Sequence, residues 1–225
     1  MSGRDADPRY AGLWPAVADA LWTGGGPRVV VEAGAAEGTD TEHIYGLASL
    51  YGAPTYLAFE PDPRNYEKLV RRVASVTAIQ RALSWEEGEA TLRMSRGEHD
   101  GRSWERSSSL RAPKQHVEKF PWVTFDEKVT VKTVTLDAEC ARRGVDHVDF
   151  MWMDAQGSEG DAIAGGHKIL TRTRYLYVEV EREEMFAGQL VGVDAFLTVL
   201  GPDWVVVREF PFDVLFFNSA VEAAS

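Results

Sequence analysis

Cysteine is almost missing from these 225 residues: Cys140 is the only one. A single thiol excludes an internal disulfide and any CxxC metal or redox pair. Its setting, Leu136-Asp-Ala-Glu-Cys140-Ala-Arg-Arg143, is patterned as a helix, which predicts a buried spare thiol and, by default, a reducing cytoplasmic environment. Long apolar runs are missing too. Charges or glycines interrupt each of them well before the roughly 18–20 residues of a membrane span. No basic segment leads into an apolar stretch at the start, so no secretory signal is expected. Cations are scarce: 24 Lys and Arg face 35 Asp and Glu, for a net charge of −11. That balance opposes general binding to nucleic-acid phosphates, which depends on Lys and Arg clusters. Histidine pairs at metal-ligand spacing are absent, and Asp154/Glu159 and Glu179/Glu181 make no facial triad, so no metal is expected.

What is present is the composition of an ordinary globular chain, 44% hydrophobic and 26% charged, long enough for one large α/β domain. Residues 1–26 are expected as an extension holding a short amphipathic helix over 13–22, closed by Gly24-Gly25-Gly26, three glycines that signal a turn. Strands and helices then alternate through 27–225. Strands are predicted at 28–32, 55–59, 76–80, 148–153 and 174–180. Helices are predicted at 39–51, 62–72 (Asp62 as cap, Pro63 in the first turn), 136–143, 158–170 and 189–200. Residues 84–135 break the rhythm and are expected as an insert or lid. Within the insert, 89–94 and 128–134 look like exposed strands of a hairpin or sheet extension. A basic run, Arg93, Arg96, Arg102, Arg106 and Arg111 with Trp104 among them, reads most simply as a solvated loop, though it could attract an anion. Two last strands, 204–208 and 214–218, are joined by too few residues for a crossover helix and must be antiparallel. The predicted fold is Rossmann-like: a doubly wound, mostly parallel seven-stranded sheet with an antiparallel last strand.

Three strand ends carry candidate chemistry. The turn Glu32-Ala33-Gly34-Ala35-Ala36-Glu37-Gly38-Thr39 follows the first strand, where small residues let a backbone approach a ligand. Glu32 is placed to accept a hydrogen bond from a ligand ammonium group. The turn lacks the middle glycine of GxGxxG, which disfavours a pyrophosphate and suits an amino-acid-plus-nucleoside ligand. Glu60, before Pro61 at the end of the second strand, can accept both ribose hydroxyls. Asp154, ending the fourth strand in Met153-Asp-Ala-Gln156-Gly-Ser-Glu159, can orient or deprotonate an acceptor. The bland alternatives are a tight turn, a surface glutamate, and Asp154 or Ser158 as a helix cap. Glu179, Glu181, His99 and His116 are secondary candidates for a base. The histidines are expected to be exposed, as are His43 and His167, and 181–184 is expected as a solvated charge cluster.

These motifs, with Arg81-Ala82-Leu83-Ser84, Ser107-Ser-Ser-Leu110 and Val134-Thr-Leu-Asp137, stand in the order found in FkbM-type methyltransferases, which the chain resembles over about 29–181. The resemblance implies a class I methyltransferase fold and S-adenosylmethionine as donor, leaving S-adenosylhomocysteine. It also implies methylation of a hydroxyl on a small molecule, a sugar or natural product. Carried over by position, Glu32, Gly34, Ala35, Gly38 and Thr39 would line the methionine portion. Glu60 with Pro61 would hold the ribose, Ala82 and Leu83 would approach adenine, and Asp154 and Gln156 would sit near the methyl. Where the family commonly has Lys before the aspartate, this chain has Trp152-Met153, so a residue facing the pocket is expected to differ. Partners implied are a small-molecule acceptor, no nucleic acid and no membrane, with a homo-oligomer left open. Two rival functions stay open here: a nicotinamide-dependent oxidoreductase and a non-catalytic cofactor-binding protein.

Overall fold

A computed structural model describes residues 7–22, 28–99 and 101–221; the Gly24–Gly26 run lies outside them. In chain order the helices are α1 (Leu13–Trp22), α2 (Thr39–Ala48), α3 (Pro63–Arg72), α4 (His116–Lys119), α5 (Leu136–Arg142), α6 (Glu159–Ala164), α7 (His167–Leu170) and α8 (Val193–Leu200). The strands are β1 (Val29–Ala33), β2 (Thr55–Phe59), β3 (Thr77–Ile79), β4 (Ala82–Leu83), β5 (Gly88–His99), β6 (Arg102–Ser103), β7 (Val123–Val134), β8 (Val148–Met153), β9 (Thr173–Glu179), β10 (Trp204–Glu209) and β11 (Asp213–Asn218).

Seven strands form the main sheet in the order β10-β11-β9-β8-β1-β2-β3. All neighbours pair in parallel except β11, which runs antiparallel to both β9 and β10. Val30 and Val31 of β1 and the Phe-Met-Trp-Met of β8 are buried on both faces, as central parallel strands must be. One core layer, including Val31, Met151, Met153 and Leu176, lies on the α5–α8 side. The other, including Val30, Phe150, Trp152 and Tyr177, lies under α1 and α2.

Trp152 belongs to that second layer and does not face the cleft. It stacks on Tyr177 with ring centroids 4.1 Å apart and on Trp14 of α1 at 6.0 Å. The expectation that this position alters the ligand pocket is therefore corrected: an aromatic here packs the sheet against the N-terminal helix.

The two predicted exposed strands lengthen into β5 and β7, an antiparallel pair in a second sheet of order β4-β7-β5-β6. Between them, residues 104–122 run as a strap that is irregular apart from the single turn of α4. The predicted helix over 158–170 is two helices, because Gly165 and Gly166 lie in close contact with neighbours: a Cβ on Gly165 would stand 2.0 Å from the Ser84 carbonyl oxygen. The last helix starts at Val193, after Gly192 at φ 77°.

Candidate active site

The carboxyl ends of β1, β2 and β8 open into one cleft, the expected ligand position in an open α/β sheet. Glu32, Gly34, Ala35, Thr39, Glu60, Pro61, Ala82, Leu83, Asp154 and Gln156 all line it. Gly38 does not. It starts α2 at φ 82° with its Cα turned to α3, where a Cβ would meet Leu69 at 2.9 Å.

Gly34 is also held by geometry before any ligand is considered. At φ 81° its Cα abuts the β8 loop, and a Cβ would fall 1.8 Å from the Asp154 carbonyl oxygen. Phe59 O accepts from the Gly34 and Ala35 amides, and Ala33 O accepts from the Asp154 amide at 2.9 Å. Three strand tips are thereby tied together. Ala36 at φ 47° and Gln156 at φ 50° are both left-handed without being glycine, a strain of about 1–3 kcal/mol each that tends to gather at functional sites.

Glu32 and Glu60 sit on neighbouring strand tips and are both buried. The Tyr56 hydroxyl donates to Glu32 Oε2 at 2.8 Å. Burial raises Glu32 to about 7, with that hydrogen bond pulling the other way. The Glu60 oxygens accept separately, Oε2 from the Ala36 amide and Oε1 from the Asp62 amide, each at 2.7 Å. Each oxygen keeps a second lone pair. Burial raises Glu60 to about 8 despite those two donors.

Asp154 Oδ1 accepts from Gln156 Nε2 at 2.6 Å, and the same amide reaches Glu179 Oε2 at 3.2 Å. One carboxamide thus bridges two carboxylates. Glu179 is pushed well up by burial and by Asp154, Glu159 and Glu181 around it. The Ser158 side chain makes no capping hydrogen bond to α6. Glu159 Oε1 instead ties down the turn before the helix, accepting from the Ala155 and Gly157 amides at 2.8 and 3.2 Å.

The strap crosses the cleft and is fastened on both sides. Towards α3, the Ser108 hydroxyl donates to Asp62 Oδ2 at 2.8 Å, Asn65 Nδ2 donates to Glu105 O at 2.8 Å, and Arg106 pairs with Glu37 of the glycine turn. Towards α6, the Ser109 hydroxyl donates to Gln156 O at 2.7 Å and Arg111 pairs with Asp161 at 2.9 Å. Arg106, Ser108 and Leu110 line the cleft, as do Arg81 and Leu92. Sequence reasoning gave Arg106 only a general capacity to attract an anion, as part of the basic run, and assigned the others no ligand role. The Ser107-Ser-Ser-Leu110 run was the available signal, but without periodicity it had no predicted direction.

The secondary candidates for a base divide. His99 is exposed and stacks on Trp122 at 4.0 Å, while His43 and His167 are exposed on their helices. His116 corrects its expectation. It is buried against Phe120, Phe125 and Phe186, and burial lowers it to about 4. Glu181 is half-buried and raised by burial, while Arg182, Glu183 and Glu184 pair with Glu209, Lys119 and Lys114. Among the described residues no group of three or more His, Cys, Asp or Glu is placed to hold a metal ion. Nor is any described helix long and apolar enough to cross a membrane.

Residues 32–204 match the model of the methyltransferase FkbM domain. The chain belongs to the FkbM methyltransferase family. It is 34% identical over 189 residues to the 2-O-methyltransferase NoeI of Sinorhizobium fredii (strain NBRC 101917 / NGR234), covering 81% of this chain and 74% of that relative. A solved methyltransferase FkbM from Methylobacillus flagellatus KT superimposes with a TM-score of 0.52 at 15% identity, over 84% of this chain and 43% of that one. The chain therefore spans under half of that structure, and the likeness there is one of fold. This FkbM member is a methyltransferase with the class I sheet. Family membership sets aside both rival functions, the nicotinamide-dependent oxidoreductase and the non-catalytic binder.

Proposed function

We propose that this FkbM methyltransferase transfers a methyl group to a hydroxyl of a small molecule, a sugar or natural product, and that the cleft at the tips of β1, β2 and β8 holds the donor. The observation that carries this reading is the buried pair Glu32 and Glu60 on adjacent strand tips of one cleft. Glu32 takes the donor's ammonium group, and the two free lone-pair directions of Glu60 take the vicinal ribose hydroxyls. Ala82 and Leu83 meet the base. Glu32, Glu37, Asp40, Glu60 and Asp154 line the cleft, an acidic surround suited to a ligand carrying sulfonium and ammonium charges. The named activity of NoeI supports oxygen as the atom methylated.

S-adenosylmethionine supplies an electrophilic methyl on a sulfonium, so alignment of the nucleophile provides much of the rate. The protein's part is to exclude water beneath the strap, to orient the hydroxyl, and to take its proton. Asp154 is placed for that last task, its Oδ1 fixed by Gln156. The acceptor is a small molecule in this reading, with no nucleic acid involved. The buried single thiol Cys140 fits a reducing cytoplasm.

The test is calorimetry with S-adenosylhomocysteine on the wild type and on Glu60→Ala. The variant is expected to keep its fold and to lose affinity by roughly 10-fold or more, from two hydrogen bonds to a charged group. Unchanged affinity removes Glu60 from the site. Assay of S-adenosylhomocysteine release over free hexoses, deoxyhexoses and simple glycosides then finds the acceptor class. Release with amines alone would overturn the hydroxyl assignment.

A further inference from the structure

A donor with an amino-acid tail brings a carboxylate as well as an ammonium, and the cleft is a hostile place for it. Five carboxylates line the cleft (Glu32, Glu37, Asp40, Glu60 and Asp154) against two cations, Arg81 and Arg106. An anion entering there needs a cation within contact distance. Arg81 adjoins Ala82 and Leu83, the end assigned to the base, and its Nη1 lies 3.8 Å from Glu139. Arg106 is at the other end: it reaches from the strap to Glu37, inside the glycine turn.

The Arg106 guanidinium is engaged through a single nitrogen. Its Nη2 pairs with Glu37 Oε1, and Arg106 makes no other side-chain pairing among the described residues. A guanidinium carries five N–H donors in a planar fork suited to a carboxylate, so most of this one remains unspent while its position is fixed. Its side chain is 42% exposed, accessible to a ligand yet anchored at the wall. The basic run over 93–111, read in sequence most simply as a solvated loop that could attract an anion, delivers this one cation into the cleft. Of its other members, Arg93 donates to Leu110 O, Arg96 pairs with Glu127, and Arg111 pairs with Asp161.

We infer that Arg106 is the residue that recognises the α-carboxylate of the donor's amino-acid tail, with Glu37 holding the guanidinium in register beside the glycine turn. The inference rests on the donor-site reading above and adds a residue from the strap to it. The tail is then gripped from two elements, its ammonium by Glu32 on β1 and its carboxylate by Arg106 on the strap. A donor lacking the carboxylate loses its tie to the strap.

The experiment is a ligand-by-residue cycle measured by calorimetry. The ligands are S-adenosylhomocysteine, its decarboxylated analogue, and 5′-methylthioadenosine, which lacks the whole tail; the proteins are the wild type, Arg106→Met and Arg106→Lys. Arg106→Met is expected to weaken S-adenosylhomocysteine by about 30-fold, the scale of hydrogen bonds to a charged group. Binding of 5′-methylthioadenosine should change less than about twofold, and Arg106→Lys should fall between, since an ammonium keeps charge but loses the fork. Equal weakening of all three ligands would make Arg106 a fastening of the strap only, and unchanged S-adenosylhomocysteine affinity would overturn the assignment outright. Should the Met variant fail to fold, wild-type protein still decides: decarboxylation must weaken binding by a similar factor, and equal affinities refute the claim. Failure of wild-type protein to bind any of the three would sink the donor-site reading itself, and this inference with it.

Discussion

Placing a methyl group at Gly34 tests whether the β1 turn and the β8 loop are locked together. In Gly34→Ala the new Cβ starts 1.8 Å from the Asp154 carbonyl oxygen and 2.8 Å from its carbon, where ordinary contact begins at 3.4 Å. The loops must separate by about 1.5 Å, at an overpacking cost of about 1–3 kcal/mol. The backbone at φ 81° adds about 1–2 kcal/mol for any residue with a Cβ. The sum, roughly 2–5 kcal/mol, corresponds to a melting point lower by about 10 °C in a chain of this size. Separation also pulls at the Asp154 amide, now 2.9 Å from Ala33 O, so S-adenosylhomocysteine binding should fall more than the stability loss explains. Gly46→Ala is the matched control. It lies inside α2 with nothing within 4 Å of the added methyl, and helix propensity alone predicts a gain of ~1 kcal/mol. Differential scanning calorimetry of the two variants gives the comparison. If Gly34→Ala melts within about 2 °C of wild type, the contact between the two loops is not the constraint described.

Asp154→Asn is expected to cut turnover by roughly 100-fold, within the range of general-base effects, while S-adenosylhomocysteine affinity changes little; equal turnover would remove its role in acceptor handling. Glu32 and Glu60 have folded-state values raised to about 7 and about 8 from 4.5. A raised carboxyl stabilises most fully below its unfolded value, and that contribution is lost as pH rises through the folded one. Urea unfolding of the ligand-free protein should therefore show ~2 kcal/mol less stability at pH 8.5 than at pH 6.5, with a flat or rising profile against the reasoning. The Cys140 thiol is buried, and burial beside Asp137 and Glu139 pushes it up to about 12. Iodoacetamide should leave it untouched in native protein and alkylate it fully in urea, so rapid native labelling would contradict its placement.

Much of this architecture is legible in the sequence. Val29–Ala33, Thr55–Phe59 and Val148–Met153 are short apolar runs with small or acidic residues after them, and such runs suit strands covered on both faces. The antiparallel end of the sheet followed from the brevity of the link predicted over 209–213, which the structure shortens to 210–212. The strap was not readable, because its order comes from single serine, arginine and asparagine contacts across 40 or more residues (Ser108 to Asp62, Asn65 to Glu105, Ser109 to Gln156). No local pattern encodes those contacts. His116 was misjudged for a related reason: Phe186, from a distant segment, closes over it together with the nearer Phe120 and Phe125. Trp152 was misjudged differently. Its departure from the lysine common in the family suggested the ligand pocket, while the two-residue alternation of β8 sends it with Phe150 into the layer beneath α1.

That tryptophan has a practical bearing on where this molecule can be cut. The stretch alike to other family members runs from 32 to 204, yet Trp14 on one side of it covers Trp152, and β11 beyond the other side is threaded between β9 and β10. A fragment trimmed to the shared stretch would bare an indole, lose β11 with all but the first residue of β10, and leave β9 as an uncovered edge of the sheet. Ancestry and foldability mark out different segments of this polypeptide, and only the longer one can be expected to stand in solution.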